Sequence, residues 1–152
     1  MSAAYTASGD QTLTTSNATA LTVGSNASTA QKNEIFEYVL SISGAPADSA
    51  IIWTISRCTA LGTATAQTAA PLGDADRAAQ AACGSNHTAE PTYAANTEVM
   101  KLLPINARAT FRWVAHPDGK LKHAATVGAG FGFAAKHASS TVDFQAIAMW
   151  TE

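Results

Sequence analysis

Between residues 34 and 44 the chain reads EIFEYVLSISG, and Phe36, Tyr38, Leu40 and Ile42 recur at every second position. That period belongs to a β-strand with one face on a core and one on solvent. The turn residues Gly44, Pro46 and Asp48 follow, and then AIIWTISRCT sets Ile51, Trp53 and Ile55 on one face and Ile52, Thr54 and Ser56 on the other. These two strands are expected to pair antiparallel across the turn GAPADS. The alternation returns in RATFRWVAHPDGKL, where Ala109, Phe111 and Trp113 share a face ahead of the turn His116-Pro117-Asp118-Gly119. It returns again in TVDFQAIAMW, through Val142, Phe144, Ala146, Ala148 and Trp150. Two weaker segments lie between. TYAANTEVMKLLPIN reads as extended, with Pro104 confining it to a sheet edge or a strand end. ATVGAGFGFAA reads as a strand loosened by glycine, the sign of a bend or of another backbone close by.

Two stretches lack the pattern. Residues 1–32 are mostly small and polar, with Leu13, Leu21 and Val23 as aliphatic anchors and Tyr5 as the one aromatic. They read as an arm that orders as edge strands against the body or against a neighbouring subunit. The block PLGDADRAAQAACG places strong helix formers from Asp74 to Ala82 between Gly73 and Cys83-Gly84. It predicts a helix of about two turns, with Asp74 as its cap and Asp76 in its first turn. The resulting expectation is a Thr/Ser/Ala-rich N-terminal arm over 1–32, partly strand, and a single domain over 33–152. About eight short strands, one small helix in a loop and no βαβ rhythm make that domain all-β: an antiparallel β-sandwich, jelly-roll-like.

Composition adds exclusions. The 152 residues suffice for one domain burying roughly two-thirds of its unfolded surface. Hydrophobic residues make up 47%, but charged ones only 13%, against roughly 25% in average domains. Much of the surface is therefore small and neutral, which suits a protein that covers its outside with neighbours. A net charge of −2, with no basic run beyond Lys120-Leu121-Lys122, argues against nucleic acid as a partner. No signal-like start and no long apolar run are present, so the expectation is a soluble protein made in a cytoplasm, without a membrane partner. In that compartment Cys58 and Cys83 are expected as free thiols.

The candidate chemistry is thin. Asp74 and Asp76 form a DxD pair of the kind that holds Mg²⁺, but no further acidic ligands accompany them. His87, His116, His123 and His137 lie in no HxH or HExxH arrangement and read as surface or interface residues. GAGFG over residues 128–132 has strand-like flanks, which argues against a phosphate-binding turn. Trp53, Trp113 and Trp150 sit in alternating strands beside aliphatic residues, as core or interface aromatics do. The expectation is therefore no catalytic residue, no cofactor and no metal.

The order of the segments carries one further indication. A Thr/Ser-rich start leads into IFEYVLSISG, then IIWTISRCTALGTATAQTAAPLGDADRAA, EPTY, FRWVAHPDGKL and a last strand ending Trp150-Thr151-Glu152. Over most of residues 33–152 this resembles a family of small structural proteins of tailed bacteriophages. The resemblance implies a jelly-roll cement or decoration protein of the head, on the capsid exterior of the virion and made in the bacterial host cytoplasm. Its implied partners are the major capsid protein and itself, as homodimer or homotrimer. The contact residues expected on this reading are Tyr5, Leu13, Leu21, Asp74, Asp76, Arg77, Tyr93 and His116. Two alternatives stand beside it: a tail or head-fibre module gripping a host glycan through exposed aromatics, and a cupin-like metalloenzyme.

Overall fold

A computed structural model describes residues 2–13, 16–137 and 142–152, with the side chain of Leu13 outside the description. Twelve strands run in chain order: β1 (Ala4–Leu13), β2 (Ala18–Ser25), β3 (Glu34–Ile42), β4 (Ala50–Ala60), β5 (Thr63–Gln67), β6 (Ala70–Pro71), β7 (Ala81–Ala89), β8 (Thr92–Asn106), β9 (Phe111–Val114), β10 (Leu121–Lys122), β11 (Gly130–His137) and β12 (Val142–Thr151). They form two antiparallel six-stranded sheets packed as a sandwich, and no helix occurs among the described residues. The first sheet has the order β10-β3-β12-β1-β6, with β9 also on the outer edge of β3. The second has the order β5-β7-β2-β11-β4-β8.

The expected alternation holds where bulky residues carry it. Phe144, Ala146, Ala148 and Trp150 of β12 are all fully buried, as are Ile51 and Ile55 of β4, with Trp53 nearly so. Their inward faces meet between the sheets. Trp53 packs edge-on against Phe144 at 5.1 Å and Tyr38 against Phe133 at 5.5 Å, an arrangement favoured by the ring quadrupoles. In β3 a register shift opposite Met149/Trp150 changes the phase. Ile35, Tyr38 and Leu40 point inward, and Phe36 and Ile42 are only half-buried.

Several expectations need correction. β3 and β4 do not pair: β3 belongs to the first sheet, between β12 and the β9/β10 edge, and β4 to the second, between β11 and β8. A two-residue loop would have forced a hairpin. The longer connection here spans the roughly 10 Å between packed sheets and lets both strands bury an apolar face against each other's sheet. Among the described residues of 1–32, β2 is interior, between β7 and β11, whereas β1 pairs β12 along its whole length and β6 only at Tyr5 and Thr6. Every residue of β2 is buried. Small side chains that read as an arm are what a strand needs when both its faces are covered.

The predicted helix is absent. Residues 73–76 form a turn, with Asp76 N donating to Gly73 O at 3.1 Å, and Ala81 enters β7. Alanine's helix preference is a weak prior, and a block without a 3.6-residue apolar stripe gains no packing as a helix. As a strand it pairs with β2 from Ser25↔Ala81 to Thr22↔Gly84. Glycine at 130 serves the same close packing. A Cβ there would lie 2.5 Å from Val23 O and 2.8 Å from Gly24 Cα, so β2 and β11 approach as only paired glycines permit. The glycine-loosened strand thus does meet a backbone, and Pro104 does lie in an edge strand, β8.

Candidate functional site

The histidines, cysteines and tryptophans that carried the candidate chemistry are mostly committed to the interior. From the sequence all four are expected as surface or interface residues; His87, His123 and His137 are buried and only His116 is exposed. Their ring nitrogens bond within the fold. His87 Nδ1 pairs with Thr19 O at 3.0 Å and its Nε2 with Thr22 Oγ1 at 3.3 Å. His123 Nδ1 pairs with Ala124 O at 2.8 Å, and His137 Nε2 with Ser49 Oγ at 2.8 Å. Burial pulls the pKa values of His87 and His123 below that of a free imidazole, so both are neutral near pH 7. Cys58 and Cys83 are free and buried, and desolvation pushes both thiols up to about 12. Trp53 and Trp150 are core residues, and Trp113 stacks on Tyr38 at 4.9 Å. They therefore offer no joint exposed platform for a sugar.

The densest polar cluster lies on the outer side of the second sheet. Tyr93, at the start of β8, is opposite Cys58 of β4, and its ring reaches over Gly132 of β11 to Thr19 of β2. The Tyr93 hydroxyl lies 2.6 Å from Thr19 Oγ1, which also donates to the Glu90 carboxylate; Thr19 N donates to Glu90 Oε1 at 3.3 Å. His87 joins through Thr19 O and Thr22. Burial raises the Tyr93 pKa, so its phenol stays protonated. Each of these groups points at another, and the cluster's physical effect is to strap residues 87–93 across the sheet. No sequence spacing announced it, because its members come from three strands and a loop.

The exposed candidates gather elsewhere. At the end where β12 finishes, residues 26–33, 72–80 and 115–129 are tied together. Asn26 Nδ2 donates to Gln80 O at 2.6 Å, Ser25 N to Ala129 O at 2.9 Å, Leu72 N to Ala4 O at 2.8 Å and Arg57 Nε to Lys122 O at 2.9 Å. Glu34 pairs with Lys122 at 3.0 Å and Lys120 at 3.4 Å; these contacts, the Lys122 hydrogen bond foremost, hold its carboxyl below the usual carboxylate range. The centre of the assembly is Glu152. Its side chain is 1% exposed, and its carboxylate accepts from Gln80 N at 2.9 Å, Ala81 N at 2.9 Å and Trp150 Nε1 at 3.2 Å.

On this scaffold Asp74, Asp76, Arg77 and His116 are exposed, together with Leu72 and Val127, each 52% exposed. The other expected contact residues are not brought to it. Tyr5 and Leu21 are fully buried members of the core cluster. Tyr93 is half-buried in the strap, and Leu13 ends β1 with its side chain outside the described residues. Among the described residues no group of His, Cys, Asp and Glu side chains is disposed to hold a metal ion, and Asp74 and Asp76 lie in an exposed turn. Comparison with protein-family models, with curated proteins and with solved structures finds no match.

Proposed function

We propose that the protein is a non-enzymatic structural subunit of a virus head, a cement or decoration protein that binds the assembled capsid lattice and stabilises it. The observation that carries this reading is the loop end of the sandwich. Hydrogen bonds tie three connections there into one scaffold, and those connections carry the exposed residues Leu72, Asp74, Asp76, Arg77, His116 and Val127. Rigid loops lose little entropy on docking, and exposed aliphatic residues with mixed charge around them have the character of an interface core and rim. The order of the segments, which resembles that of small structural proteins of tailed bacteriophages, fits the same reading. So does the burial of His87, His123, His137 and both thiols.

A cement protein works by preferring the assembled lattice over free subunits, so its binding energy adds to the barrier against rupture. Many copies make modest individual affinities sufficient. The partners on this reading are the major capsid protein and further copies of this chain, as dimer or trimer, covering the β8 edge where Leu102 is 54% exposed.

The test compares heads with and without the protein. Heads lacking it should rupture at lower temperature and at low ionic strength, and added protein should restore them. Leu72→Glu with Val127→Glu should lower binding to heads by about tenfold or more while leaving the unfolding temperature in place, since both residues are exposed. Heads that resist heat equally well without the protein would remove the cement role.

A further inference from the structure

On the flank of the sandwich, away from the loop end, β6 pairs β1 only at Tyr5 and Thr6. From Ala7 onward that edge of β1 has no strand beside it among the described residues. Gly9 lets the edge sink: a Cβ there would lie 2.3 Å from Ala20 O and 2.9 Å from the Ser85 side chain. The result is a hollow of about 240 Å³ lined by Ser8, Gly9, Asp10, Gln67, Gln145 and Ile147.

Asp10 stands directly opposite Gln145, and Ser8 opposite Ile147, on the outward face of β1 and β12. The Ser8 hydroxyl, the Asp10 carboxylate and the Gln145 carboxamide make no hydrogen bond or ion pair within the described residues, whereas Thr12 alongside bonds Asp143 at 2.7 Å. Gln67 is oriented from the other sheet: its Nε2 donates to Ser85 Oγ at 2.6 Å, which leaves Oε1 free to accept. Acceptors, an amide donor and a hydroxyl thus converge beside the aliphatic side of Ile147.

We propose that this hollow is a binding subsite for a single sugar ring. Vicinal hydroxyls both donate and accept, which matches a carboxylate facing a carboxamide, and the C–H face of a pyranose matches Ile147. One carboxylate is too few for a divalent cation, which takes six or more oxygen ligands. An added peptide strand would use the β1 backbone edge and leave Asp10 and Gln145 unpaired. Without an aromatic ring to stack on, affinity falls in the millimolar range, a dissociation constant of about 1–10 mM.

The test is an amide NMR titration of the whole protein with glucose, galactose, mannose and N-acetylglucosamine, each to about 50 mM, well above that range. At least one sugar should shift the amides of Ser8, Gly9, Asp10, Gln67, Gln145 and Ile147 saturably. Asp10→Ala and Gln145→Ala, both at exposed positions, should each weaken that sugar about tenfold, with the unfolding temperature unchanged. The proposal is overturned if no sugar gives saturable shifts, if the shifts persist unaltered in both variants, or if they run along the β1 backbone independently of Asp10 and Gln145. Shifts given by calcium chloride alone, with sugars adding nothing, would overturn it equally. This outcome is separate from the head-binding test, which concerns the loop end.

Discussion

Replacing Glu152 with alanine should cost about 3 kcal/mol of folding stability, and the figure follows from what its carboxylate holds. The backbone N–H groups of Gln80 and Ala81 and the indole N–H of Trp150 all donate to it. A buried donor left without a partner costs about 1–3 kcal/mol. Gln80 and Ala81 are only half-buried, so water can enter the vacated space and each loss falls near the lower bound. Arg77, 3.9 Å from the carboxylate but 63% exposed, adds nothing material. For a domain of this size about 3 kcal/mol corresponds to a fall of roughly 6–12 °C in the midpoint of thermal unfolding. Calorimetry measures that fall, and amide hydrogen exchange locates it: Gln80 and Ala81 should lose protection while the core of β11 keeps its own. Glu152→Gln, which retains one accepting oxygen but turns an NH₂ toward the donors, should lie between the two. A Glu152→Ala variant melting within about 2 °C of the parent, with exchange at residues 80 and 81 unchanged, would refute the role given to this carboxylate.

Three other outcomes follow from the interior. Gly130→Ala should destabilise by about 2–4 kcal/mol, read from a urea midpoint, because its Cβ would strike Val23 O and Gly24 Cα, backbone that cannot give way locally. Stability should fall on acidification below about pH 6.5: His87 and His123 have depressed pKa values when folded, so the unfolded chain binds more protons in that window. His87→Gln should flatten that dependence in denaturant titrations between pH 7 and 5. Finally, Cys58 and Cys83, buried with thiols pushed up to about 12, should resist a thiol reagent in the native protein and react together on unfolding.

The sequence made some elements readable and concealed others for one physical reason, the size of the side chains. In β12, Phe144 and Trp150 mark the buried face unmistakably, and in β4 Ile51, Trp53 and Ile55 do the same. In β7 the alternating positions hold alanine, cysteine, serine and histidine, so no hydropathy contrast exists to betray a strand, and alanine's helix preference filled the gap. β2 is hidden similarly: Thr19 and Thr22 are buried polar residues satisfied by Glu90 and His87, which local sequence cannot foresee. Strand partners were least legible, since β3 and β4 obey the same alternation whether they form a hairpin or cross between sheets. Of the expected contact residues, those in turn-forming sequence, Asp74, Asp76, Arg77 and His116, are exposed; Tyr5 and Leu21 lie in the core cluster.

The pairing of β1 with β12 runs unbroken from Ala4↔Thr151 to Leu13↔Val142 and brings Tyr5 against Trp150 at 6.1 Å. A ribosome delivers these two strands far apart in time. While β12 is still in the exit tunnel, β1 and β3 lack the strand that joins them, so the first sheet has no centre. The chain must therefore wait, with Tyr5, Tyr38 and Leu40 uncovered, until residues 142–151 emerge, and only then close its longest loop. Closure of the first sheet is thus deferred until β12 has left the tunnel, and crowding of nascent chains is the hazard of that interval.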